Sequence, residues 1–133
     1  MESLKRRAAF KAVAGGRRVS RTGFVLQALK TATEIDGTTA TRAPRFGFTV
    51  TKKIGNAVVR NRIRRRLREV VRRAETGAEA ATDYVLVARR AALTLQFERL
   101  VTDLTSGFEV LSRERDKPHA DRPRAAPGSI DAR

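Results

Sequence analysis

The stretch RFGFTVTKKIGNAVVRNRIRRRLREVVRR, residues 45 to 73, decides how this chain folds. In its first part Phe46, Phe48 and Val50 alternate with Gly47, Thr49 and Thr51, the period of two expected of a strand with one core face and one small, polar face. Lys52-Lys53-Ile54-Gly55 then turns the chain, and Asn56 is placed to cap a helix through its side-chain oxygen. Beyond it Val59, Ile63, Leu67, Val70, Val71 and Ala74 recur at helical spacing and form one apolar stripe. Arginines fill the remaining surface, with Arg60, Arg64, Arg68 and Arg72 on one flank and Arg62, Arg65, Arg66 and Arg73 on the other. From Lys52 to Arg73 ten cations lie on one turn and one amphipathic helix.

Outward from this segment, the apolar run Phe24 to Leu29 reads as a buried strand, and Asp83 to Ala88, DYVLVA, as another. Residues 3 to 14 read as a short helix stopped by Gly15-Gly16 and packed as a lid on the sheet. Thr31 to Thr41, rich in threonine with Gly37 inside it, reads as a loop. From about Leu93 to Leu111 the residues Leu93, Phe97, Leu100, Val101, Leu104, Phe108 and Leu111 share one side of a core helix. The expected order is α-β-β-α-β-α, an α+β fold with one small mixed sheet covered by helices. One domain over residues 1–113 is expected, with 114–133 a disordered tail, since three of the four prolines fall there and little is apolar.

Charge restricts the function classes further. The 133 residues carry 29 Lys and Arg against 14 Asp and Glu, a net +15, and no acid occurs between Asp36 and Glu69. Cations without local counter-charges repel one another, and a polyanion relieves that repulsion. Solubility alone does not require acids to be excluded over such a length. There is no cysteine, and the single histidine, His119, lies in the proline-rich tail, so thiolate metal sites and histidine-based catalysis are not expected. The acids are dispersed, and the glycines form no nucleotide-binding loop. Neither a secretory signal nor a membrane span is expected, and the protein reads as cytoplasmic.

Phosphate binding of two geometries is what the residues support. Lys52, Lys53 and the first backbone amides after Asn56 suit an anion at a helix terminus. The guanidiniums of Arg60, Arg62, Arg64, Arg65, Arg66 and Arg68 suit bidentate clamping along a groove. Asn61, a lone amide among arginines, is either a surface accident or an oriented hydrogen-bonding group.

FGFTVTKKIGNAVVRNRIRRRLRE, residues 46 to 69, closely resembles the signature of the bacterial ribonuclease P protein family, including the Arg60-Asn61-Arg62 centre of its arginine-rich helix. FVLQAL at Phe24, DYVLVARRAA at Asp83 and the closing helix resemble the family's other elements in order, so that the likeness covers about residues 4 to 111. It implies a left-handed β-α-β crossover, a fold shared with a domain of a small-subunit ribosomal protein, where sequence pattern alone favours a right-handed connection. It also implies that a large RNA, using Mg2+, removes the 5′ leader from precursor tRNA, with the protein as accessory subunit and no metal of its own. The expected partners are this ribonuclease P RNA and precursor tRNA, with no membrane.

Carried over by that resemblance, Lys52, Lys53, Arg60, Asn61, Arg62, Arg65 and Arg68 face the catalytic RNA. A separate cleft of the sheet and first helix, with Phe10, Thr49, Thr51 and Arg89, holds the single-stranded leader, where an aromatic stacks on bases. Phe10 also reads as core filler, and Ala14 and Gln27 stand where the family often has an aromatic. The alternative from another class is a structural protein bound to ribosomal RNA, which would use the same helix without a leader cleft.

Overall fold

The computed structural model describes residues 1–30, 33–35, 38–40 and 43–115. In chain order the elements are β1 (Glu2–Ser3), α1 (Arg7–Ala14), β2 (Arg17–Ser20), β3 (Phe24–Lys30), β4 (Thr33–Ile35), β5 (Thr38–Ala40), β6 (Arg45–Thr49), α2 (Ala57–Ala74), β7 (Thr82–Ala88) and α3 (Phe97–Arg115). Five strands form one mixed sheet in the order β1-β6-β7-β3-β2. β6 and β7 are parallel neighbours joined through α2, while β7, β3 and β2 pair antiparallel.

The expected order of larger elements is present, with strands added to it. The first helix starts at Arg7 rather than residue 3, because Glu2–Ser3 pairs with β6 and the Leu4 amide donates to the Phe46 carbonyl at 2.8 Å. Gly16 explains why the chain can turn straight from α1 into β2: a Cβ there would lie 2.3 Å from the Ala28 carbonyl oxygen. The segment expected to be a loop holds the antiparallel pair β4 and β5. Its β-branched residues flank Asp36-Gly37, a sequence pair suited to a hairpin. The closing helix begins at Phe97, not Leu93, because Arg90–Leu93 forms its own 3-10 turn. Leu93 and Leu95 still pack on the core, which makes their spacing look helical. α3 reaches Arg115, and the remainder of the expected tail lies outside the described residues.

Strand parity gives the sheet two faces, one covered by α2 and α3 and the other covered in part by α1. On one, Phe24, Leu26, Phe46, Tyr84 and Leu86 pack against the buried stripe of α2, Ile63, Leu67, Val70, Val71 and Ala74, and against Leu100, Leu104, Phe108 and Leu111 of α3. Each such side chain contributes about 1.5 to 3 kcal/mol on leaving water, so this face supplies the greater part of the stability. Tyr84 stacks on Phe46 with centroids 5.4 Å apart and meets Phe108 edge-on at 4.9 Å. The second face is smaller: Leu4, Val13 and Val85, with Ala9, Phe10, Leu29 and Val87 around them. Thus the small, polar side of β6 is the side on which α1 sits.

Candidate nucleic-acid interface

Asn56 caps α2 as expected, its Oδ1 accepting from the Val59 amide at 3.0 Å. The apolar stripe faces the core, so the arginines point outward, and hydrogen bonds divide them into two groups. On the flank toward α3, Arg66 donates to the Leu95 carbonyl, Arg73 meets Glu98 at 3.0 Å, and the Arg73 guanidinium lies 5.3 Å from the Phe97 ring centre. Arg72 pairs with Glu69 at 3.0 Å. On the opposite flank half-buried Arg60 donates through Nε to the Gly55 carbonyl at 3.1 Å, and Arg64 donates to Asn61 Oδ1 at 3.3 Å. Arg60, Arg66 and Arg73 fasten α2 to its surroundings, while Arg64 and Arg72 are engaged within the helix.

The second group is free. The side chains of Lys52, Lys53, Arg62, Arg65 and Arg68 are exposed and make no hydrogen bond or ion pair among the described residues. The last three recur every third residue, so they form a ridge along α2 opposite its buried stripe. The two lysines stand on the 3-10 turn Lys52–Ile54 at the head of that ridge, and Arg90 holds this turn by donating to the Ile54 carbonyl. A recess of about 550 Å³ beside the ridge is lined by Arg62, Arg65, Arg66, Glu69 and Phe97. Of the residues expected on this face, Lys52, Lys53, Asn61, Arg62, Arg65 and Arg68 are exposed together, whereas Arg60 is half-buried and engaged with backbone. Among the broader set suited to clamping, Arg64 and Arg66 are also engaged.

The second expected site lies on the α1 face of the sheet. Phe10 rests directly over Gly47: a Cβ at residue 47 would fall 2.4 Å from the ring. Beside that contact, register aligns Ser20, Val25, Val87 and Thr49 across β2, β3, β7 and β6. Val25, Val87 and Thr49 are half-buried and Ser20 is exposed, so this row is an uncovered strip of sheet along α1. Arg89, exposed just beyond β7, donates to Ser20 Oγ at 3.4 Å across the end of the strip. Thr51 follows Thr49 in extended backbone and is exposed next to the lysine turn. Phe10, Thr49, Thr51 and Arg89 therefore border one surface. Phe10 is half-buried and packs on the small core, as the core-filler reading expects.

Gln27 is 8% exposed on the face under α1, and Ala14 is exposed at the helix end, so the two positions without an aromatic belong to different environments. Sequence reading missed Arg18, Ser20, Val25 and Val87 on this face. A signal existed for the two valines, which stand at alternate positions of the apolar strand runs, but only the register shows that they share a row with Thr49. At the far end of the same face, Arg45 grips buried Asp83 through two hydrogen bonds of 2.8 and 2.9 Å. The hydrogen bond to Asp83 holds the Arg45 pKa above its ordinary value. Among the described residues there is no group of His, Cys, Asp and Glu that could hold a metal ion, and no helix is long and apolar enough to cross a membrane.

Comparison with known proteins identifies the family. Residues 1–112 match the family model described as Ribonuclease P. The chain is 42% identical over 130 residues to the ribonuclease P protein component of Brucella melitensis biotype 1, covering 93% of this chain and 91% of that protein. It is 50% identical over 103 residues to the ribonuclease P protein component of Gluconacetobacter diazotrophicus, covering 76% and 83%. Among solved structures, the ribonuclease P protein of Staphylococcus aureus superposes with a TM-score of 0.65 at 27% identity, over 84% of this chain and 95% of that one. The chain belongs to the ribonuclease P protein family, the protein component of the ribonuclease P endoribonuclease.

Proposed function

We propose that the chain binds the ribonuclease P RNA through the free ridge of α2 and the single-stranded 5′ leader of precursor tRNA through the strip beside α1. The observation that carries this reading is the division of the α2 arginines. Five are engaged by acids or carbonyl oxygens, and those left free, Arg62, Arg65 and Arg68 with Lys52 and Lys53, share one exposed surface. Guanidiniums spaced along a helix can each take a phosphate bidentately, and the lysines extend the row. Asn61 is exposed on that surface with its oxygen taken by Arg64, so its amide N–H groups face outward as donors. Arg60 supports the ridge from its flank.

The strip differs in kind. Its floor is nearly uncharged, Phe10 offers part of an aromatic ring, and Arg18 and Arg89 stand at its margin. An extended single strand could stack on Phe10 and hydrogen-bond to Thr49 and Thr51. The leader is present in the precursor and absent from mature tRNA. Binding it therefore strengthens the hold on substrate without equally retaining product. Hydrolysis itself is assigned to the RNA, with Mg2+ held through that RNA, and the holoenzyme works in the cytoplasm. The reading as a structural protein of ribosomal RNA gives the strip no role, and the family match does not favour it.

Reconstitution tests this reading. The purified chain should restore cleavage of precursor tRNA by its cognate catalytic RNA at low magnesium, where the RNA alone is slow. No stimulation at any protein concentration would overturn it.

A further inference from the structure

Val58 is 68% exposed, and the other large hydrophobic residue exposed among those described is Met1, at the chain start. It sits in the first turn of α2, next to Val59, which faces the core. Nothing in the fold uses its side chain: Asn56 does the capping, and the buried stripe begins at Val59. On the helix surface Val58 adjoins Asn61, Arg62 and Arg65 at spacings of three, four and seven residues, so it stands within the free ridge.

An isopropyl group gains nothing from a phosphate. The apolar surfaces of RNA are the faces of its bases and sugars, and in a helix the base faces are hidden by stacking, so an apolar contact selects an unpaired nucleotide. We infer, resting on the reading of α2 as the RNA-binding face, that an unpaired nucleotide of the catalytic RNA seats its base on Val58. The adjacent groups complete such a site. The outward amide of Asn61 meets the base edge, and the free guanidiniums of Arg62 and Arg65 take the flanking phosphates.

The experiment measures binding of the full-length chain to the catalytic RNA across a range of salt for wild type, Val58→Ala, Val58→Leu and Arg62→Ala. Removing the isopropyl group should weaken Val58→Ala binding about fivefold at every salt concentration, with the salt slope unchanged and Val58→Leu within about twofold of wild type. Thermal unfolding of Val58→Ala should not drop, since alanine is the better helix former and the side chain is exposed. Chemical probing should find a base protected by wild type and Val58→Leu and reactive with Val58→Ala. Binding of Val58→Ala equal to wild type, with a lowered slope for Arg62→Ala, would overturn this inference alone. An unchanged slope for Arg62→Ala as well would overturn the reading of α2 on which it rests.

Discussion

The ridge of α2 and the strip beside α1 are built on opposite principles. The ridge is conspicuous in sequence because its charge is dense, yet half of that charge is engaged within the fold. What remains free is decided by local partners, Gly55, Asn61 and Glu69, together with the distant Leu95 and Glu98. The strip is inconspicuous, made from small and half-buried residues whose alignment comes from strand register. A phosphate-binding surface needs cations without counter-charges, whereas a groove for an unpaired strand needs backbone kept low and one side left uncovered. Gly47 serves the second need as Arg62, Arg65 and Arg68 serve the first.

The sharpest way to break this contrast is to remove the ridge. Replacing Arg62, Arg65 and Arg68 together by alanine should weaken binding to the catalytic RNA about a thousandfold, at roughly tenfold for each charged side chain. The salt slope should fall by about 0.7 to 0.9 for each phosphate left without its cation. Thermal unfolding should stay near that of the parent, because none of the three has a partner among the described residues. A parallel drop in stability would show that the free group also fastens the helix.

Next in size is the ion pair at the far end of the strip's face. Arg45→Met removes both hydrogen bonds that the guanidinium gives to buried Asp83 and, with the arginine side chain itself 38% exposed, should cost about 2 kcal/mol of folding stability, read by denaturant unfolding. A loss below about 1 kcal/mol, the range of surface pairs, would mean that the pair behaves as an exposed one.

A smaller effect is expected at the strip itself. Gly47→Ala places a methyl group against the Phe10 ring, which must swing outward, at a cost of about 1 to 2 kcal/mol. In the holoenzyme it should weaken precursor binding while leaving the salt slope for the catalytic RNA unchanged. Equal weakening for precursor and leaderless tRNA would detach Phe10 from leader binding.

The legibility of the two regions differs for the same physical reasons. Strand β6, the Asn56 cap and the buried face of α2 were readable because alternation, capping chemistry and helical spacing are local signals. β2 was not, since Arg17-Arg18-Val19-Ser20 has no clean alternation and its cations resemble those of an exposed segment. Two-residue β1 is too short to carry a pattern. The engagement of Arg66 with Leu95 and of Arg73 with Glu98 joins residues 29 and 25 positions apart, and no spacing rule reaches across that distance. The resemblance supplied the cleft residues Phe10, Thr49, Thr51 and Arg89, while Ser20, Val25 and Val87 became visible only when the strands were set in register.

The division of labour between the two regions is tested most directly by measuring holoenzyme affinity for precursor tRNA as the leader is shortened one nucleotide at a time. Affinity should fall as the nucleotides that reach the strip are removed and then level off, and Gly47→Ala should flatten that dependence. Affinity unaffected by leader length would contradict the account.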